Sequence, residues 1–292
     1  MNKTDIKVLL ESYYLKSLCS YNDDFYPIMV VEAVKSIIGI NLDKNSNNIL
    51  LWLENYMLEI EVCDYQFSKG HKDVPEVIAY KNIKENLLNK NKKKVNENLF
   101  YLSRVSDGSQ IMEFLLEFSL EYSCKTLGFI WSIYRMEMFL SRQFIEKSLQ
   151  ICAHALMKDL EEKITISNDN IIWKDYLVGG GISKIALYFS IFKTDLIRSE
   201  KIDKLVISRL FQEEIIAAAD DNLEYIILDE QKKHDREWII AYFENLSMDQ
   251  ITPELIIGIN NIRSCLKLVS KNDERLIFWT QLNKMIEKNA VK

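Results

Sequence analysis

"QIMEFLLEFSLEYSCKTLGFIWSIYRMEMFL", residues 110–140, decides the fold class. Its first half places Ile111, Met112, Phe114, Leu115, Leu116, Phe118 and Leu120 around most of a helical circumference and leaves one narrow polar strip. A helix this apolar on nearly every side has to be enclosed by other helices. The stretch is therefore expected to supply the central helix of an all-α fold, with the second half, "LGFIWSIYRMEMFL", as its neighbour.

The same periodicity runs outward in both directions. Ile202, Leu205, Val206, Leu210 and Ile216 form one stripe, and Leu255, Ile256, Ile259, Ile262 and Leu266 another. Strand-like alternation is almost absent. With only 8 Gly and 3 Pro in 292 residues, the chain has too few turn residues for an all-β fold and must be built from few, long elements. Start signals agree: Asp73 with Pro75 and Glu76, and Thr252 followed by Pro253, read as helix caps. About twelve helices are expected, arranged as a compact multi-helix bundle or an irregular helical-repeat-like array. The five tryptophans show no fixed spacing, so a regular repeat array is not supported.

The breaks fall near residues 20–27, 40–48, 68–75, 89–94, 104–109, 164–170 and 177–181, and none has the length or bias of a flexible linker. Residues 1–292 are expected to form a single all-helical domain. If it divides into two lobes, the boundary falls in the basic run "NKNKKK", giving 1–92 and 93–292, or near residue 166.

A hydrophobic content of 48% suits a globular core. The net charge of −6 and a single short basic run argue against a nucleic-acid partner, since phosphate binding needs clustered Lys and Arg. No apolar run reaches the ~18 residues of a membrane span, and the N-terminus is too charged for a signal-peptide core. Five widely spaced cysteines with no CxxC pair read as free thiols, so the expected location is the cytoplasm.

Five constellations could carry chemistry. Glu113, Glu117 and Glu121 form the polar strip of the central helix, with Lys125 at the same spacing. Like charges four residues apart repel, so the strip must face water or find cations, and Arg135 and Arg142 on the next helix are the expected partners. With Trp131 these residues form the candidate ligand-binding set; a ligand-binding reading expects an enclosed cavity near Phe114, Phe118, Trp131 and Tyr134, with Glu117 or the Asp220/Glu224 pair at its mouth.

Asp220, Asp221 and Glu224 resemble the aspartate-rich clusters with which all-α isoprenoid synthases hold magnesium; Asp220 and Glu224 share a helix face and could grip one hard cation. The similarity covers a few residues, and the second acidic motif is represented only by Asp23 and Asp24 near the N-terminus. An acidic, solvated helix junction is the simpler reading, so no cofactor is expected.

Gly179-Gly180-Gly181 lacks the preceding strand and the Lys-Ser/Thr of a P-loop and reads as a joint between helices. Glu230, His234 and Glu237 stack at helical spacing without a second imidazole nearby, as an exposed ion pair does. His154, two residues from Cys152, reads as a satisfied core histidine and not as a Cys-His pair.

Every candidate active site thus lacks a partner that its chemistry requires. The expectation is a non-enzymatic, cytosolic binding protein of inhibitor, immunity or adaptor type, whose acidic, aromatic-rich surface recognises a protein partner. The alternative is an α-helical enzyme or carrier for a hydrophobic small molecule, using magnesium-dependent isoprenoid-type chemistry. A contiguous surface patch mixing Asp or Glu with Tyr or Trp would favour the first.

Overall fold

A computed structural model describes residues 3–20, 26–62, 67, 80–166, 182–212, 237–269 and 272–290. The fold is all-helical: among the described residues there are thirteen α-helices, two short 3₁₀ turns and no strand. In chain order they are α1 (Lys3–Cys19), α2 (Tyr26–Ile38), α3 (Asn47–Glu59), α4 (Tyr80–Leu88), α5 (Lys92–Val105), α6 (Ser109–Tyr122) and α7 (Leu127–Phe139). They continue as α8 (Ile145–Lys158), α9 (Ile182–Lys193), α10 (Ser199–Gln212), α11 (Trp238–Asn245), α12 (Pro253–Leu268) and α13 (Asn272–Ala290).

Two helices act as hubs. The first is α6, as its sequence predicts: every residue but Gln110 is buried, and α5, α7, α8 and α10 surround it. The second is α2, whose near-continuous apolar run "PIMVVEAVKSII" packs against α1, α3, α7, α11 and α12. Helix α7 touches both hubs and joins them. Where α7 meets α2, a Cβ on Gly128 would come within 2.9 Å of Cε, the movable end of the Met29 side chain. The apolar core is one continuous cluster, from Ile6 and Leu10 on α1 to Phe278 and Leu282 on α13. Both predicted stripes lie inside it at every described position; Ile216 lies outside the described residues.

Local signals set the helix ends. The hydroxyl of Thr252 accepts the Leu255 amide at 3.2 Å, with Pro253 opening α12, as expected. The basic run is not a spacer: Lys92, Lys93 and Lys94 form the first turn of α5, capped by Asn91, whose side chain accepts the Lys94 amide. Gly108, before α6, has φ +79° and would put a Cβ 2.4 Å from Ile145 Cγ1, so both conformation and space require glycine there. The Asp73 cap and the Gly179–Gly181 joint lie outside the described residues.

Candidate functional site

The glutamate strip of α6 is not a solvent seam. Glu113, Glu117 and Glu121 are 2–3% exposed. Burying three carboxylates on one helix is tolerable only if each is bound, and each is. The Glu117 carboxylate holds Arg198, whose Nε lies 2.8 Å from Oε2 and whose Nη2 binds the same oxygen, while Lys201 binds Oε1. Glu121 takes Lys84 at 2.7 Å and Lys163 at 3.2 Å. Although burial opposes its ionisation, hydrogen bonds from those two lysines hold the Glu121 carboxyl below the usual range. Glu113 accepts the Arg198 backbone amide at 2.9 Å and the Tyr134 hydroxyl; burial and the Glu113 charge push Tyr134 up to about 12.

The expected cation partners are therefore corrected. Arg135 sits one residue past Tyr134, about 100° further round α7. That turns its guanidinium away from the strip and toward α2 and α12. There Nε lies 3.1 Å from Glu32, and Nη1 and Nη2 donate to Ser264 and Ser36, both at 3.1 Å. Arg142 follows α7, with φ +61°, and binds Asp107 at 3.1 Å. The cations that do neutralise the strip come from α4, from residues 163 and 198, and from α10, all remote in sequence.

The same neighbours complete the C-terminal end of α6, where backbone carbonyls have no partner within the helix. Arg209 Nε donates to the Leu120 carbonyl at 2.5 Å, and the amides of Ile164 and Glu161 reach the carbonyls of Glu121 and Tyr122 at 3.1 and 2.6 Å. The row thus ties α4, α7, α10 and residues 161–164 onto α6. Its carboxylates are engaged on both sides, so they are poorly placed to act as bases on a substrate. Rings occupy the space around it: Tyr80 lies 4.8 Å from Phe114, Phe118 4.8 Å from Tyr122, and Trp131 stacks on Tyr134 at 5.4 Å.

Sequence reasoning missed two buried carboxylates outside the strip. Glu32 on α2 collects Arg135, Lys35 at 3.3 Å, the Ser36 hydroxyl at 2.7 Å and the Asn260 amide at 2.9 Å. Burial works against its charge, but Arg135, Lys35 and the Ser36 hydroxyl outweigh it and hold the group at about 2. Glu137 on α7 is fully buried and bound by Tyr14 and Ser148. The available signal was a lone Glu inside an apolar run, "VVEAV" and "RMEMF".

His154 is satisfied, as expected: its Nε2 pairs with Asn96 Oδ1 at 3.0 Å, and burial, with Lys92 nearby, brings its pKa down to about 4. Cys152 and Cys265 are buried free thiols; burial above all raises both well beyond the reactive range. Among the described residues no group of His, Cys, Asp or Glu is arranged to hold a metal. Asp220, Asp221 and Glu224, the Asp23/Asp24 pair, and Glu230 with His234 lie outside the described residues.

An open pocket of about 470 Å³ lies elsewhere, between Lys44 and Asn45 and the face of α11 formed by Trp238, Ala241, Glu244 and Asn245. Glu237, also in its lining, is held by the Asn41 amide at 2.5 Å and by Lys44 at 3.3 Å. Glu244 accepts the Asn48 backbone amide at 2.9 Å, and the Asn48 side chain donates to the carbonyls of Phe243 and Leu246, fastening the start of α3 to the end of α11. The Trp238 indole rests on Trp279, ring centres 5.3 Å apart, and its N–H has no acceptor among the described residues.

The chain matches no protein-family model, and no curated protein and no solved structure matches it. No described helix is long and apolar enough to cross a membrane.

Proposed function

We propose that this chain is a non-enzymatic binding protein of inhibitor, immunity or adaptor type, which recognises a protein partner through the pocket beside α11. The observation that carries the proposal is the placement of Trp238 and Glu244 at one open concavity, where only one Glu244 oxygen is bound, by the Asn48 amide, among the described residues. An indole beside a carboxylate suits a partner segment that presents Lys or Arg next to apolar side chains. The net charge of −6 adds long-range attraction for such a partner. The engaged state of the α6 carboxylates supports the same choice, because their bonds serve to hold helices together. In this reading the protein works in the cytoplasm, and its partner is a protein and not a nucleic acid.

The test is a photo-crosslinking residue placed at Asn245, with a control at Val105, which is 76% exposed and far from the pocket in sequence. In the cells that make the protein, the pocket position is expected to give one discrete protein adduct that Glu244→Gln weakens and that is missing at the control. Equal adducts at both positions, or none at Asn245, would contradict the proposal.

A further inference from the structure

Glu137 is a buried carboxylate that forms no ion pair among the described residues. It is 0% exposed, at the junction of α1, α7 and α8. Its Oε1 lies 2.6 Å from the Tyr14 hydroxyl and 2.5 Å from the Ser148 hydroxyl, and those two hydroxyls lie 2.6 Å from each other. The second oxygen, Oε2, meets the Phe144 amide at 3.3 Å.

Three oxygens in mutual contact make three edges, and each edge at this distance needs one proton between its ends. Tyr14 and Ser148 bring one proton each. If the carboxylate were ionised, both protons would point at Oε1 and the Tyr14–Ser148 edge would set lone pair against lone pair. The Ser148 hydroxyl also lies 3.1 Å from the Phe144 carbonyl, a further claim on the same proton. A protonated carboxyl supplies the missing third proton: Glu137 donates to Ser148, Ser148 to Tyr14, and Tyr14 back to Glu137. The short contacts to Oε1 suit either state; the Tyr14–Ser148 contact decides between them.

Charged groups on the packed elements do not alter this balance. From α8, the Cys152 thiol interacts with Tyr14 and Glu137, and burial above all keeps it protonated. On α2, Glu32 and Lys35 are engaged with each other and with Arg135. On α6, Glu117 is taken by Arg198 and Lys201, Glu121 by Lys84 and Lys163, and Glu113 by the Arg198 amide and the Tyr134 hydroxyl. In the turn after α7, Arg142 binds Asp107, and Gln143 reaches Glu11. Burial then raises the Glu137 pKa from its ordinary value near 4.5, against the opposing pull of the Ser148 and Tyr14 hydroxyls.

We propose that Glu137 is carried as the neutral acid, and that its proton is a pH-sensitive clasp fastening α1 to α7 and α8. Loss of the proton removes one edge of the ring and leaves a buried charge with no counter-ion, so α1 loosens as the pH rises. The folded chain then holds a proton that the unfolded chain has already released. Stability is therefore greatest below the ordinary carboxyl range and falls as pH rises toward the folded-state value, by up to tenfold in the folding equilibrium constant per pH unit, before levelling.

The experiment is a carboxyl ¹³C NMR titration of the full chain, together with urea unfolding across pH 5–9, on wild type and Glu137→Gln. In Glu137→Gln the amide can donate to both hydroxyls while its oxygen accepts from Phe144, so the ring persists without a titrating proton. The expected result is one glutamate resonance that titrates above the ordinary range and disappears in Glu137→Gln, and a ratio of wild-type to variant folding constants that declines with pH. Ser148→Ala removes one corner of the ring and is expected to shift that same resonance, which keeps the test open if Glu137→Gln fails to fold. Glutamate resonances that all titrate at or below the ordinary range, or identical pH slopes in wild type and Glu137→Gln, would overturn the proposal.

Discussion

The α6 row and the Glu137 junction bury carboxylates at similar depth by opposite means. In the row, cations on long side chains reach Glu117 and Glu121 from the rim, with Lys201 still 47% and Lys163 55% exposed. At Glu137 the neighbours are short hydroxyls inside the core, no cation reaches in among the described residues, and in the proposed state the group keeps its proton. Glu32 belongs with the row in kind but lies deeper in its setting, because Arg135 and Lys35 are themselves only 22% and 12% exposed. With Glu137 in the proposed neutral state, the difference lies in the reach of the partner. A stem of three or four methylenes can carry charge inward and keep one end near water.

The largest effect is expected at Glu32. Glu32→Ala strands Arg135 and Lys35 beside each other with little access to water, which should lower unfolding free energy by about 3–5 kcal/mol in urea titration. A loss below about 1 kcal/mol would mean that solvent already neutralises those cations. The Glu32 contribution also has a defined pH window. Its folded-state value of about 2 lies below the ordinary 4.5, so that stability is present above 4.5 and lost as pH falls toward 2. This is opposite in sign to Glu137, and a stability profile across both windows should separate the two kinds of burial.

Tyr14→Phe sharpens the contrast at intermediate size. With a neutral Glu137 the change removes ordinary hydrogen bonds and should lower stability by about 1 kcal/mol at pH 6; a loss of about 2–3 kcal/mol would indicate a hydroxyl serving a charged carboxylate. The smallest effect belongs to His154, a half-buried group with no role in either region. Its folded-state value of about 4 lies below the ordinary 6.5, so wild type should lose stability as pH drops from 6.5 to 4. His154→Gln, which can still donate to Asn96, should flatten that decline by less than about 1 kcal/mol, the loss being limited by solvent screening. An unchanged slope would assign the decline to other groups.

The sequence made the fold class readable because periodicity reports which side of a helix is apolar. That was enough to find α6 and the cap at Thr252. It also showed that Glu113, Glu117 and Glu121 share a face. It could not show what lies opposite that face, because the partners are supplied by Lys84, Lys163, Arg198 and Lys201, from segments whose meeting depends on the packing of whole helices. Nearness in sequence pointed to Arg135 and Arg142, and one step of 100° along α7 was sufficient to send Arg135 to Glu32 instead. The pocket beside α11 was not legible at all: Lys44 and Trp238 are 194 positions apart (238 − 44) and meet through α3 and α11.

The most direct comparison is urea unfolding of Glu117→Gln and Glu137→Gln side by side at pH 7. Glu117→Gln removes the charge that Arg198 and Lys201 answer and should lower stability by about 1–3 kcal/mol, whereas Glu137→Gln should leave stability equal or raised. Equal losses in both would contradict the division between charged and neutral burial. A gain in Glu117→Gln would show that the α6 row is kept for something other than holding the helices together.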